Sequence, residues 1–389
     1  MTRKEFIKIC SLLGISSVFH PTLSALNKIK SNNSSNKNDG KVLIIGAGAA
    51  GLTAAYKLSQ LGIDFQILEA SPTYGGRMKT AKDFVDFPIP LGAEWLHVER
   101  DVFDDAIKNP SVKVNIKTVG YSSDDYGIYN GEELSMDDMG FGIDQKFIGS
   151  SWLNFFEQYI LPSVKNKISY NQIVNSIDYS KDLIKVTTQK GKFEADNVII
   201  TIPVKILQND TIKFTPDVPE YKIEAFTEVE VWEGLKVFIE FSEKFYPTAI
   251  ETKVKPKNSG QKMYYDASYG QNSKRNVLGL FVVGSATLPY LELSDNELIK
   301  YILNELDEAF DGKASASYMK HITQNWSKEP FIEGAYVNDK EGWRTIKSLG
   351  KSINNKLYFA GTSYTTGDDW GGVHNAIYSG IRAIEEMLE

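Results

Sequence analysis

KVLIIGAGAAGLTAAYKLSQLGIDFQILEASPTYGGRMKT, residues 41–80, is the stretch whose reading decides the fold. Its apolar run 42–45 is short and β-branched, as a buried strand is. Gly46, Gly48 and Gly51 follow at GxGxxG spacing, and Ala49, Leu52, Ala55, Tyr56 and Leu58 then keep a helical period. A second strand is predicted over 64–68, ending at Glu69, eighteen residues past Gly51. Gly46 permits a tight turn, Gly48 lets backbone N–H groups approach a pyrophosphate, and Gly51 lets the helix pack close to the strand. The N–H groups of Ala49 and Ala50 would then face phosphate at the positive end of the helix, and Glu69 would accept from a ribose hydroxyl. The bland alternative is a glycine-rich strand–helix turn that binds nothing. The context of strand, helix and acid favours a dinucleotide.

The next residues narrow the ligand. Glu69-Ala70-Ser-Pro-Thr-Tyr-Gly75-Gly76-Arg77 resembles the EAxxxxGGR signature of FAD-binding oxidoreductases, in which a glycine pair admits the cofactor and an arginine follows it. The expected cofactor is FAD.

Composition sets the outer bounds. The chain has 389 residues, 42% of them hydrophobic, with 20 Tyr and 20 Phe, which is enough for one large or two interleaved cores. A net charge of −7 without a block of like charges speaks against nucleic acid as a partner. Cys10 is the only cysteine, and the four histidines (His20, His97, His321, His374) show no HxxxH spacing, so no disulfide or metal site is expected. Thr2-Arg3-Lys4-Glu5-Phe6 resembles a twin-arginine export signal with lysine at the second arginine position. A short apolar stretch, 9–19, and a polar linker, 27–40, follow it. They imply export to the periplasm or beyond, with 1–39 as signal and disordered linker and no permanent membrane span. The alternative is a cytoplasmic protein with an unstructured amphipathic N-terminus.

Along the rest of the chain, 152–161 reads as a helix stopped by Pro162. Strands are expected at 173–178, at 183–188 and as one buried run over 193–203. Leu235, Val237, Ile239 and Phe241 alternate with Lys236, Phe238 and Glu240, as in a half-buried strand. Residues 111–150 look loop-rich and 251–276 look like a polar excursion. A strand at 278–283, a capping box at 294–297 opening a helix over 297–310, a strand at 356–360 and a helix over 373–388 complete the reading.

Several of these separated segments resemble, in order, the flavin-containing amine oxidases, the family of the monoamine and polyamine oxidases. Besides 42–80, the matching parts are Leu91-Gly92-Ala93-Glu94-Trp95-Leu96-His97, residues 173–207, 231–247, 326–336 and 357–385. The resemblance implies an α/β architecture. A Rossmann-type FAD-binding domain (40–88, 160–225, 330–389) would interleave with an α+β substrate domain on a mixed sheet (89–159, 226–329). It implies hydride transfer from the carbon beside a primary or secondary amine, possibly of a polyamine, to flavin N5. The imine would hydrolyse to an aldehyde, with O2 or another acceptor taking the electrons, to H2O2 where the acceptor is O2. The oligomeric state is left open.

Roles for residues follow from the same resemblance. Lys236 corresponds to the lysine that holds a water near flavin N5; on periodicity alone it is an ordinary strand residue. His97 corresponds to a histidine near the substrate in some polyamine oxidases, against a purely structural histidine. Glu94 stands where the family has a small polar residue and would bind a substrate ammonium or pair with an arginine. Gly92, Ala93, Glu94 and Trp95 would border the flavin, and Val174 would meet the adenine. Gly361, Thr362, Gly372 and Val373 would meet the flavin and pyrophosphate. Tyr336 corresponds to one wall of an aromatic cage, or else packs in the core. The other wall falls at Gly372, so the cage is half missing unless Trp370 turns in. Ala335 stands where monoamine oxidases attach FAD through cysteine, which implies a non-covalent flavin. Asp368 and Asp369 would form a cation-attracting rim or a solvated loop.

Other functions remain in view: an L-amino-acid oxidase, which needs an arginine that 78–99 lack; an acceptor-dependent flavin dehydrogenase; and an exported flavin-binding protein without turnover.

Overall fold

The strand Val42–Ile45 is buried along its whole length, no residue more than 3% exposed. Because side chains alternate across a strand, its two faces feed two separate cores. Val42 and Ile44 pack with the helices Ala49–Leu61 and Val373–Leu388, while Leu43 and Ile45 pack with Ile177, Val186 and Phe226. In the computed structural model, which describes residues 40–121, 125–137, 144–252, 260–338, 347–365 and 369–389, this strand is the centre of a parallel sheet. The order across the sheet is Ile168–Ser169, Phe65–Leu68, Val42–Ile45, Asn197–Ile200, Leu357–Phe359. Lys41–Glu389 form one compact unit.

The turn after the central strand is as tight as the glycine spacing predicts. Gly46 has φ +108°, and a Cβ there would lie 2.6 Å from Thr201 Oγ1. A Cβ on Gly51 would lie 2.0 Å from the Gly46 carbonyl oxygen, so only glycine lets the helix start this close to the strand end. At the other end of the chain Gly380 does the same for the last helix. A Cβ there would sit 2.7 Å from the Ala50 carbonyl, where the last helix crosses the first.

A second layer is a mixed sheet, seven strands among the described residues. Its order is Tyr318–Asn325, Gly234–Phe241, Asn276–Gly284, Gly260–Asp266, Ala249–Thr252, Tyr126–Tyr129, Leu134–Asp137, with only Ala249–Thr252 and Tyr126–Tyr129 parallel. The strand Gly234–Phe241 is buried on both faces, not half-buried as its alternation suggests. Leu235, Val237, Ile239 and Phe241 meet the helix Asp295–Phe310, while Phe238 meets Phe84, Phe87 and Ile89. The polar residues of the alternation, Lys236 and Glu240, are covered by that second packing and matched by charges.

Five further expectations change. The run 193–203 divides at Asp196, Gly191–Ala195 pairing antiparallel in a small sheet and Asn197–Ile200 parallel in the central one. Pro162 does not end a helix; it sits in the first turn of Leu161–Val164, where its missing N–H costs nothing. The region 251–276 contains the strand Gly260–Asp266, and 111–150 contains four short strands. The helix after the capping box begins at Asp295, with Glu297 Oε2 accepting from the Ser294 N–H at 2.9 Å. The export signal and linker, residues 1–39, lie outside the described residues. Among the described residues no helix is long and apolar enough to cross a membrane.

Gly51→Ala would raise helix propensity by about 1 kcal/mol, yet it drives a methyl group into the Gly46 carbonyl. The expected net result is a loss of about 1–3 kcal/mol, read as a lower urea midpoint at unchanged slope. An unchanged or higher midpoint would show that the close approach is not required.

Candidate active site

The carboxyl ends of the parallel strands open into a cavity of about 530 Å³. Gly46, Gly48, Ala49, Ala50, Glu69, Ala70, Gly75, Gly76 and Arg77 line it, as do Gly92, Ala93, Glu94, Trp95, Val174, Gly361, Thr362, Gly372 and Val373. Segments far apart in the chain are therefore brought to one site. Gly51 is not at the cavity wall; its role is the helix–strand contact described above.

The cavity fits a dinucleotide. Nothing lies within 4 Å of where a Gly48 Cβ would be, so a phosphate can approach the backbone there. The helix Ala49–Leu61 starts behind it without a side-chain cap. Glu69 is fixed for the ribose by the N–H groups of Ala47 (2.6 Å) and Ser71 (2.8 Å). Arg77 ties three segments together: its guanidinium donates to the Ala335 carbonyl and, at 2.8 Å, to Thr362 Oγ1. Val174, where the adenine is expected, lines the cavity together with Gln172 and Gln189.

Away from Val174 the cavity borders a cluster of buried charged groups. Lys236 is buried, and its Nζ donates to Glu94 Oε2 (2.7 Å) and to the carbonyls of Gly92 (3.0 Å) and Pro90 (3.4 Å). Glu94 pairs with lysines, not with an arginine as one expectation had it. Its Oε2 also accepts from the Tyr265 hydroxyl, and its Oε1 lies 3.3 Å from Lys146 Nζ. Arginine is out of reach because Arg77 is committed to Ala335 and Thr362. A free carboxylate for a substrate ammonium is likewise not present, since both oxygens face protein cations. Burial alone would raise the Glu94 carboxyl, but the two lysine charges and the hydrogen bonds from Lys236 and Tyr265 outweigh it and hold it low. Burial lowers both Lys236 and Lys146, with Glu94 opposing.

The aromatic lining beside Lys236 includes Trp95, Phe281 and Tyr336. Their rings follow one another at centroid distances of 5.8 and 6.3 Å. Trp95 is anchored by its indole N–H, which donates to Tyr121 Oη at 2.7 Å. Phe281 pairs across the sheet with Lys236. In the sequence it lies in the apolar run LGLFVV and reads as core, so nothing there signals it. Lys146 and Tyr265 are equally silent, one on a three-residue strand and the other in the presumed polar excursion.

Trp370 does not turn in. It packs against the core that contains Leu43 and Ile45. Gly372 cannot carry the second cage wall either. A Cβ there would lie 2.3 Å from the ring of His374, which is held at 2.6 Å by Asp369. Asp369 also accepts from Asn375, so its carboxylate organises the start of the last helix. Asp368 lies outside the described residues. His97 lines the cavity at its exposed edge, with Nδ1 2.9 Å from Asp144 Oδ1.

Residues 144–388 match the flavin containing amine oxidoreductases, and residues 44–106 match the NAD(P)-binding Rossmann-like domain. The chain belongs to the flavin-containing amine oxidoreductase family. Membership implies FAD for the cavity just described. Polyamine oxidase 1 of Zea mays is 23% identical over 90% of this chain and 90% of its own length. Lysine-specific histone demethylase 1B of Mus musculus is also 23% identical, over 89% of this chain. The chain spans only 52% of that demethylase and 30% of a lysine-specific histone demethylase 1 homolog from Arabidopsis thaliana. A putrescine oxidase solved with putrescine bound shares the fold, with a TM-score of 0.71 over 90% of this chain and 99% of that one, at 16% identity.

Within the family fold, Glu94 is the charge on which that buried cluster depends. Glu94→Ala leaves two buried ammonium groups without their shared partner, at an expected cost of about 3–5 kcal/mol. A lysine held below its unfolded pKa weakens the fold most at low pH. The deficit should therefore shrink as pH rises toward the usual lysine value. Denaturant midpoints across pH check this; a deficit that is absent, or that grows with pH, would refute the ion-pair account.

Proposed function

We propose that the protein is an FAD-dependent amine oxidase acting on a primary or secondary amine. The observation that carries this reading is Lys236. A buried lysine paired with Glu94 stands on the wall of the same cavity as the dinucleotide turn, at the end opposite Val174. FAD, when bound, supplies the hydride acceptor and hands the electrons on to O2 or another acceptor. The rest is done by the chain. The glycine turn and Glu69 fix the pyrophosphate and ribose. Trp95, Phe281 and Tyr336 form a water-poor surface that favours an uncharged amine over an ammonium. Lys236 holds a proton-bearing group at that surface, where charge develops.

The flavin is read as non-covalent, because Ala335 stands at the attachment position and the chain's one cysteine is Cys10. A polyamine is within this reading, and the polyamine and putrescine oxidases similar to the chain support including it. An amino-acid substrate fits less well: among the cavity-lining residues Arg77 is the single arginine, and its guanidinium is already engaged. Export through residues 1–39 remains part of the proposal, supported by the sequence alone.

Purified protein should be yellow, release FAD on denaturation, and bleach under anaerobic conditions with one member of a panel of monoamines, diamines and polyamines. A flavin that stays oxidised across that panel, and across amino acids, ends the enzyme reading. Lys236→Met should keep FAD yet slow reoxidation of the reduced protein in air by about 10²-fold, the lower end of what a placed proton-transfer group supplies. Reoxidation at the original rate would take Lys236 out of this role.

A further inference from the structure

Lys146 has no part in the reaction as proposed, yet it is as deeply buried as Lys236 and faces the same carboxylate. It lies on the strand Gln145–Phe147, far from every sequence segment that marks the cofactor. Its Nζ donates to the carbonyls of Asp266 (3.2 Å) and Ala267 (2.5 Å), and Glu94 Oε1 stands at ion-pair distance, 3.3 Å. Lys236 is arranged alike, with two carbonyls and Glu94 Oε2. A neutral amine has only two protons, and its lone pair would face an oxygen in either position. Three hydrogen-bond acceptors make Lys236 an ammonium, and for Lys146 two carbonyl acceptors with a carboxylate oxygen at ion-pair distance favour the same state.

The charges around this group do not cancel. Glu94 is one carboxylate for two lysines. The Asp266 carboxylate also acts on Lys146, but it is matched by Lys244 at 2.9 Å. The Tyr265 hydroxyl is held neutral by burial and by Glu94. One positive charge is left over in a site that excludes water. Glu94 Oε1 is itself buried without a hydrogen-bond partner, so only Lys146 compensates it.

We propose that Lys146 is a positioning residue that keeps Glu94 ionised, the carboxylate in turn holding the proton of Lys236, and so leaves one surplus positive charge at the flavin end of the cavity. The inference rests on the flavin reading. The glycine turn takes the pyrophosphate and the Val174 side takes the adenine, which leaves this end for the isoalloxazine. Two-electron reduction with uptake of one proton gives the flavin one additional negative charge. The surplus charge favours that state and raises the midpoint potential.

The test is a redox titration of the flavin-loaded protein at pH 7, which needs no amine turnover. One unit charge at an effective dielectric of about 20 moves such an equilibrium by about tenfold at side-chain distances. Lys146→Met should shift it tenfold toward the oxidised flavin, a fall of about 30 mV for a two-electron couple. Lys146→Gln, which can still donate to the Asp266 and Ala267 carbonyls, should fall equally, and Lys146→Arg should stay at the original value. If Lys146→Met does not fold, Lys146→Gln decides. An unchanged potential in Lys146→Gln means that Lys146 only ties the strand to those carbonyls, and it overturns the proposal. A shift in potential with no bleaching by any amine would sustain this inference while ending the amine-oxidase reading. Unmodified protein that holds no flavin would overturn both.

Discussion

The burial of Val42–Ile45 on both faces is the constraint from which the rest follows. A strand with no solvated face must be covered by helices on one side and by a second core on the other. Those covers come from distant parts of the chain, the last helix on one face and the 174–229 region on the other. Their arrival brings Gly361, Thr362, Gly372 and Val174 to the end of the strand where the turn opens. The cavity lies at the carboxyl ends of the strands because there the connections diverge, leaving backbone N–H groups uncovered.

The second sheet enters this frame through charge. The lysine on Gly234–Phe241 reaches across to Glu94, which follows directly on the Gly92 backbone crossing. A Cβ at Gly92 would fall 1.8 Å from the Arg77 carbonyl, so that crossing admits no side chain. Close backbone contact thus fixes where the carboxylate stands, and the carboxylate fixes two lysines. Such a buried group is tolerated only because each nitrogen also has two carbonyl acceptors.

Where the sequence reading and the structure part, the reason is tertiary covering. Period-two alternation in 235–241 signals a strand, but it does not reveal that Phe84, Phe87 and Tyr265 close over the polar face. The run 193–203 looks uniform because both of its strands are apolar, and their different partners are decided elsewhere in the chain. The missing cage wall at Gly372 looks like a vacancy in the sequence. In three dimensions the ring of His374 stands where a side chain on Gly372 would begin, and Trp370 is occupied in the core.

The sequence by itself determined the dinucleotide turn, the acid after the second strand, and the helices that border the cavity, because those depend on local geometry and on glycine's freedom from a side chain. It also made Lys236 a candidate through the residues around it. Only the tertiary structure decided that Glu94 faces lysines, that Phe281 joins Trp95 and Tyr336, and that Lys146 completes the charged group. Each of those residues resembles core or surface in its own segment. Their chemistry arises from neighbours more than fifty residues away, and local pattern carries no record of such partners.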